Sequence, residues 1–163
     1  MPISKNNCPI PFDQQPINEY LSLKKSYLFS LSLKSTKIFI LRFILIFTLI
    51  FLFISCILLK FYYQLGIFRI LTLDVIISDT ILFFIFVRLY LGWTYVAKRL
   101  LSATVFYEES GWYDGQIWIK PSDYLIQDRL IGLYQVLPFI SRIKYTCLLL
   151  ISIFLLCLFI LYL

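Results

Sequence analysis

The sequence predicts a mainly α-helical membrane protein, with about three transmembrane helices and a small polar module between the second and third. Three observations carry this reading. The 163-residue chain is 61% hydrophobic with a mean hydropathy of +0.87, and only 15% of its residues are charged, where soluble domains usually carry about a quarter. Apolar runs fill residues 38–59, 70–91 and 146–163. The Lys and Arg residues flank these runs instead of lining one patch, so the net charge of +6 reads as positive-inside flanks and no nucleic-acid partner is expected.

The chain has no histidine. That excludes a His-ligated haem, a Rieske centre, a HExxH zinc site and a Ser-His-Asp triad, all of which require it. Cys8, Cys56, Cys147 and Cys157 form no CxxC pair, so no disulfide framework is expected. Cys56 and Cys157 fall in apolar runs and read as small buried hydrophobes. No cofactor, metal or catalytic residue is predicted.

Residues 1–37 form a polar segment with prolines at 2, 9, 11 and 16 and with Lys5, Lys24, Lys25, Lys34 and Lys37. A cleavable signal would place its apolar stretch nearer Met1, and a transit peptide would be Arg-rich and acid-poor, so the segment is expected to be retained. The first span, 38–59, is interrupted only by Arg42 and reaches about 33 Å as a helix, enough for a bilayer core of about 30 Å. Lys60, Tyr62 and Tyr63 mark its interface.

The second span, 70–91, carries Asp74, Asp79 and Arg88, each costing about 2.5–3.5 kcal/mol at mid-bilayer. Asp74 near the entry and Arg88 near the exit can snorkel. Asp79 must reach at least one turn inward, and a nine-residue step places it opposite Arg88 on the helix, so the two cannot pair. Either Asp79 lies at the interface or is protonated, or its partner comes from another helix or another protein. The third span, 146–163, is uncharged and just crosses at about 27 Å, with full crossing left open. Lys5, Lys24, Lys25, Lys34, Lys37 and Arg42 precede the first span. Only Lys60 and Arg69 lie in the short link, whereas Lys98, Arg99, Lys120, Arg129, Arg142 and Lys144 lie in 92–145. The positive-inside rule thus places the N-terminus and the long middle segment on the cytoplasmic or stromal side.

In that segment Trp93, Tyr95, Lys98 and Arg99 are expected to carry the second helix into the headgroups as an aromatic and basic belt. The β-rich stretches Ala103–Glu109 and Gln116–Pro121, separated by a Gly-containing turn that ends in Asp114-Gly115, predict a hairpin, with helix running on to Glu109 as the competing reading. Ser122 after Pro121 is an N-cap candidate for a helix to about Leu137, which Pro138 should stop or kink. Asp128, Gln135 and Arg142 recur every seven residues against Leu130, Ile131, Leu133, Tyr134 and Leu137, as in a helix lying on the membrane or on the hairpin. Glu108, Glu109 and Asp114 raise the question of a metal or acid/base site. Neighbouring carboxylates on a strand face opposite sides, however, and a solvated turn or salt bridges to Lys98, Arg99 and Arg129 is the more ordinary reading. Trp112, Tyr113 and Trp118 read as membrane-interface anchors or a docking patch.

The run Arg88-Leu89-Tyr90-Leu91-Gly92-Trp93, then Tyr107-Glu108-Glu109-Ser110-Gly111-Trp112-Tyr113-Asp114-Gly115-Gln116 and Asp128-Arg129-Leu130-Ile131, resembles a known family. That family is the cyanobacterial and plastid hypothetical chloroplast reading frame thirty-six, with plant relatives named conserved in green lineage and diatoms twenty-seven. Cys8-Pro9-Ile10-Pro11 and Gln15-Pro16-Ile17-Asn18-Glu19-Tyr20 resemble its entry motif. The likeness covers nearly the whole chain, and the Phe, Ile, Leu and Lys bias fits an AT-rich plastid genome. It implies a photosynthetic membrane location and carries no activity with it; together with the apolar spans and the Lys and Arg flanks, the expectation is a multi-pass thylakoid protein with a stromal N-terminus.

The function expected is therefore a non-catalytic assembly, stabilising or regulatory accessory of a thylakoid membrane protein complex, with the lipid bilayer and that complex as partners. A small membrane enzyme or metal-handling protein using Glu108, Glu109, Asp114 and Asp128 is the alternative. An oligomeric transport component is the third reading, since three spans are too few for a monomeric inverted-repeat transporter.

Overall fold

The computed structural model describes residues 10–33, 35–61, 66–108 and 115–162. After a short turn at Phe12–Gln14 come two small helices, α1 (Pro16–Lys25) and α2 (Tyr27–Leu33), and two long ones, α3 (Thr36–Phe61) and α4 (Ile67–Leu101). A hairpin of β1 (Thr104–Glu108) and β2 (Gly115–Ile119) leads to α5 (Ser122–Ile131), a wide π-type turn at Gly132–Val136, and α6 (Leu137–Tyr162). Among the described residues, three helices are long and apolar enough to cross a membrane. The first is α3, the second α4, and the third runs through α5, the wide turn and α6.

Helix α4 is the centre of the molecule, packing against α3 on one side and α6 on the other. Its seam toward α6 is written in the sequence: Leu82, Phe86, Leu89, Trp93, Val96 and Leu100 are all buried and alternate in steps of four and three. Val136 at the end of the wide turn and Ile143 and Leu150 of α6 answer, spaced by sevens. On the α3 side, the Phe39 and Phe43 rings pack against Phe86 at 6.0 and 5.6 Å between centroids. The outer faces of α3 and α6 are lined by exposed apolar side chains, among them Leu49, Phe53, Leu155 and Phe159.

Trp93 is not part of a headgroup belt. It is fully buried, with Tyr20, Phe29 and Phe139 around it. The predicted belt position fails because α2, inside the segment read as merely polar, supplies what an indole needs in a core: Ser32 Oγ accepts the Trp93 ring N–H at 2.8 Å. Phe29 reaches this site because residue 92 is glycine; a Cβ there would run into the Phe29 ring. Tyr95, by contrast, is exposed as expected.

Four further expectations are corrected. Of the stop or kink expected at Pro138, the stop does not occur: the wide turn just before it, closed by Leu137 N–H donating to the Gly132 carbonyl, lets the chain continue as helix past the proline. Ser122 is the first helical residue and makes no capping bond, with Pro121 in the cap position. The stripe Asp128, Gln135, Arg142 turns toward the protein. Asp128 is buried, Gln135 Oε1 accepts the Tyr20 hydroxyl at 2.7 Å, and Arg142 donates to the Ser32 carbonyl and lies over the Phe39 ring. Leu130, Leu133, Tyr134 and Leu137 are exposed, as is Gln135 despite its bond to Tyr20. Cys56 faces outward from α3 instead of packing inside.

Replacing Gly92 by Ala is expected to lower stability by about 1–3 kcal/mol through overpacking against Phe29. Gly115→Ala, where nothing lies within 4 Å, should stay within about 0.5 kcal/mol. Thermal unfolding of the two variants in mild detergent separates them.

Candidate functional site

The polar end of the molecule is organised by two cations at the C-terminus of α4. Arg99 is the wider link. Its guanidinium pairs with Glu19 of α1, donates to the Gln14 carbonyl at 2.9 Å, to the Tyr95 hydroxyl at 2.9 Å and to the Phe106 carbonyl of β1 at 3.3 Å. One planar fork thus ties the N-terminal segment, α4 and the hairpin together. The hairpin carboxylates expected as partners of Arg99 have side chains outside the described residues; the acid described beside it is Glu19. Burial pushes the Glu19 carboxyl above its ordinary value even though Arg99 pulls it down, and its second oxygen, Oε2, is buried with no hydrogen-bond partner.

Lys120, just after β2, is nearly fully buried. Its ammonium has three protons, and three acceptors meet it: Asp128 Oδ2 at 2.6 Å, the Arg99 carbonyl at 2.9 Å and the Leu100 carbonyl at 3.2 Å. The last two belong to the final turn of α4, whose carbonyls have no partner within the helix and carry the negative end of its dipole. Burial raises the Asp128 carboxyl and Lys120 opposes that shift.

The hairpin sits on this base. Its strands pair in antiparallel register from Thr104–Ile119 to Glu108–Gly115. Val105 and Tyr107 point inward and form a second small core with Ile10, while Trp118 packs beside it and edge-on to Tyr124. Trp118 is therefore an internal prop and not an interface anchor. The opposite face carries Phe106, Ile117 and Ile119, which are 68%, 60% and 72% exposed. A polar groove of about 350 Å³ lies beside Arg99, lined by Gln14, Glu19, Tyr95, Phe106, Tyr107 and Gly115.

The sequence motif is divided by this geometry. Glu109, Ser110, Gly111, Trp112, Tyr113 and Asp114 lie outside the described residues. Glu108 closes β1 opposite Gly115, which borders the groove, and Gln116 Oε1 accepts the Tyr107 hydroxyl at 2.7 Å. Asp128 is in the buried pair, whereas the adjacent Arg129 is exposed on the outer side of α5. Among the described residues no three acidic or cysteine side chains gather as a metal site. The sequence reading missed Glu19 and Lys120 as site residues. Lys120 follows a proline-bounded strand, and Glu19 lies in the quoted entry motif, the one signal that pointed to it.

Within the second apolar helix, Arg88 is exposed and Asp79 is buried. Asp74 does not snorkel. It is fully buried, accepting hydrogen bonds from Ser55 of α3 and, at 3.3 Å, from Ser78.

Three long helices apolar enough to cross a membrane, under an ion-paired cap with a two-stranded hairpin, define a class of small helical proteins carrying one ordered polar end. The chain belongs to the CGLD27-like family, described as Conserved in the green lineage and diatoms 27, whose model matches residues 8–149. It is 49% identical over 156 residues to the ycf36 protein of Porphyra purpurea, covering 90% of this chain and 89% of that one. The ycf36 protein of Cyanophora paradoxa is 49% identical over 142 residues, covering 85% and 88%. The Arabidopsis thaliana protein named Conserved in the green lineage and diatoms 27, chloroplastic, is 38% identical over 148 residues, which make up 84% of this chain and 42% of that longer one. No solved structure matches.

Lys120→Met leaves Asp128 buried without its cation and is expected to cost about 3–5 kcal/mol. The double change Lys120→Met with Asp128→Leu should recover most of that loss, as read by unfolding midpoints. Glu19 gives a pH signature. Because its folded value lies above the ordinary 4.5, the folded state holds the proton more tightly. The associated stability is full below about pH 4.5 and is lost as pH rises through the folded value. Between about pH 4 and about pH 8, unfolding midpoints of the wild type should therefore fall relative to those of Glu19→Gln. A flat difference refutes the assignment.

Proposed function

We propose that this protein is a non-catalytic accessory, an assembly or regulatory factor of a thylakoid membrane protein complex, held in the bilayer by α3, α4 and α6. The observation that carries the reading is the hairpin's outward apolar face. Phe106, Ile117 and Ile119 stand exposed on a platform that two ion pairs hold in place, and exposed apolar clusters on an ordered scaffold mark contact surfaces. The contact between Glu19 and Arg99 also bears on topology. It joins α1, ahead of α3, to the last turn of α4, which supports a reading in which α3 and α4 carry the chain out and back and leave the N-terminal segment and the hairpin on one side of the membrane. The Lys and Arg excess in both segments favours the stromal side for that face. The chloroplastic relative supports the compartment.

After solubilisation in a gentle detergent, the protein is expected to co-migrate with a larger photosynthetic membrane complex or one of its intermediates on a native gel. Phe106→Asp with Ile117→Lys should release it while leaving its own unfolding midpoint within about 1 kcal/mol. Migration as a lone monomer across several gentle detergents overturns the proposal.

A further inference from the structure

The α4–α6 seam has one position that breaks its own pattern. Asp79 stands three residues before Leu82 and so occupies the next place in the alternation that Leu82, Phe86, Leu89 and Trp93 continue. It is 2% exposed, and its Oδ1 has no hydrogen-bond partner. In front of it lies a cavity of about 230 Å³, walled by Thr80, Phe83, Phe84, Ile151 and Phe154. The Thr80 hydroxyl is turned away, donating to the Ile76 carbonyl of its own helix at 2.7 Å. The cavity therefore has aromatic and aliphatic walls and one carboxyl group.

Asp74, five residues earlier, shows how this chain treats a buried acid whose role is structural: two hydroxyls serve it. Asp79 has no such service, and an unmet acceptor in an apolar setting costs on the order of a hydrogen bond or more. We propose that the α4–α6 cavity binds a membrane-dissolved amphiphile whose head donates a hydrogen bond, an alcohol, phenol or amine on an apolar body, with Asp79 as the acceptor. The size fits a ring or a short length of chain, since an apolar cavity of about 150 Å³ already holds benzene. Three phenylalanines suit a ring seated edge-on or offset. Phe84 is 66% exposed at the rim, so the cavity opens toward the lipid side and the rest of the ligand extends into the acyl chains. A carboxylate or phosphate head is rejected, because it brings lone pairs and like charge to Asp79. The proposal rests on the helices lying in the bilayer but not on any partner complex.

The test uses the full chain in lipid nanodiscs and four photoreactive diazirine probes of equal length: a fatty alcohol, a fatty amine, a fatty acid and an alkane. Cross-linked residues are then read by mass spectrometry. The alkane should label outward positions such as Leu49 and Leu155, which reports membrane embedding separately. The alcohol and amine should label residues 79–84 and 151–154 about tenfold more than the acid, a difference of ~1.4 kcal/mol. Asp79→Asn, an isostere that can still accept, should keep alcohol labelling within about twofold and lose the amine preference. Ile151→Trp, which fills the cavity, should abolish labelling there by every probe. Equal labelling by alcohol, amine and acid overturns the proposal, as does alcohol labelling unchanged in Asp79→Leu. Cross-linking of Phe84 to a second polypeptide in place of any lipid probe overturns it as well.

Discussion

The last turn of α4 must find partners for its carbonyls where the chain leaves the apolar helices, and Lys120 meets that requirement. A helix this long ends with a concentrated negative dipole, and here the compensating charge comes from the far side of a hairpin. For Lys120 to reach the Arg99 and Leu100 carbonyls, β1 must leave α4 at once and β2 must return to the same place. Once Lys120 is buried it needs an anion, and Asp128 on α5 supplies one. That fixes where the third long helix starts and brings its seam, Val136, Ile143 and Leu150, against α4. The cap and the helical packing are thus one connected problem with one solution.

Arg99 performs the corresponding task toward the N-terminus. Its neighbour in sequence gives a carbonyl to Lys120 while its own side chain takes Glu19 and two carbonyls. Helices α1 and α2, short enough to be marginal alone, are held by this fork and by Ser32 beneath Trp93. Helix α3 is attached differently, through two phenylalanine contacts near its start and the Ser55–Asp74 bond near its end.

Much of the architecture could be read directly from residues. Apolar runs located the long helices, and two β-rich stretches around Asp-Gly located the hairpin. What escaped was the inward or outward sense of individual positions. In a protein with a polar surface hydropathy tells inside from outside; in a chain whose exposed helix faces are as apolar as its core it does not. Leucines at 130 and 133 therefore face out while Asp128 and Arg142 face in, and Trp93 occupies the core it was not assigned. Pairings such as Glu19 with Arg99 were equally out of reach, since neither local period nor flank charge says which distant acid meets which base. The two strands that flank the motif were legible from their β-rich composition.

The bond between Tyr20 and Gln135 joins residues 115 positions apart. A ribosome extending the chain from its N-terminus makes Tyr20, Ser32 and Glu19 long before it makes their counterparts. Once α4 is made, α1 and α2 already have partners in Arg99 and Trp93, whereas the Tyr20–Gln135 and Ser32–Arg142 bonds wait for the third long helix. A chain interrupted before residue 135 would therefore hold its N-terminal segment by α4 alone, a structural mark by which unfinished copies differ from finished ones.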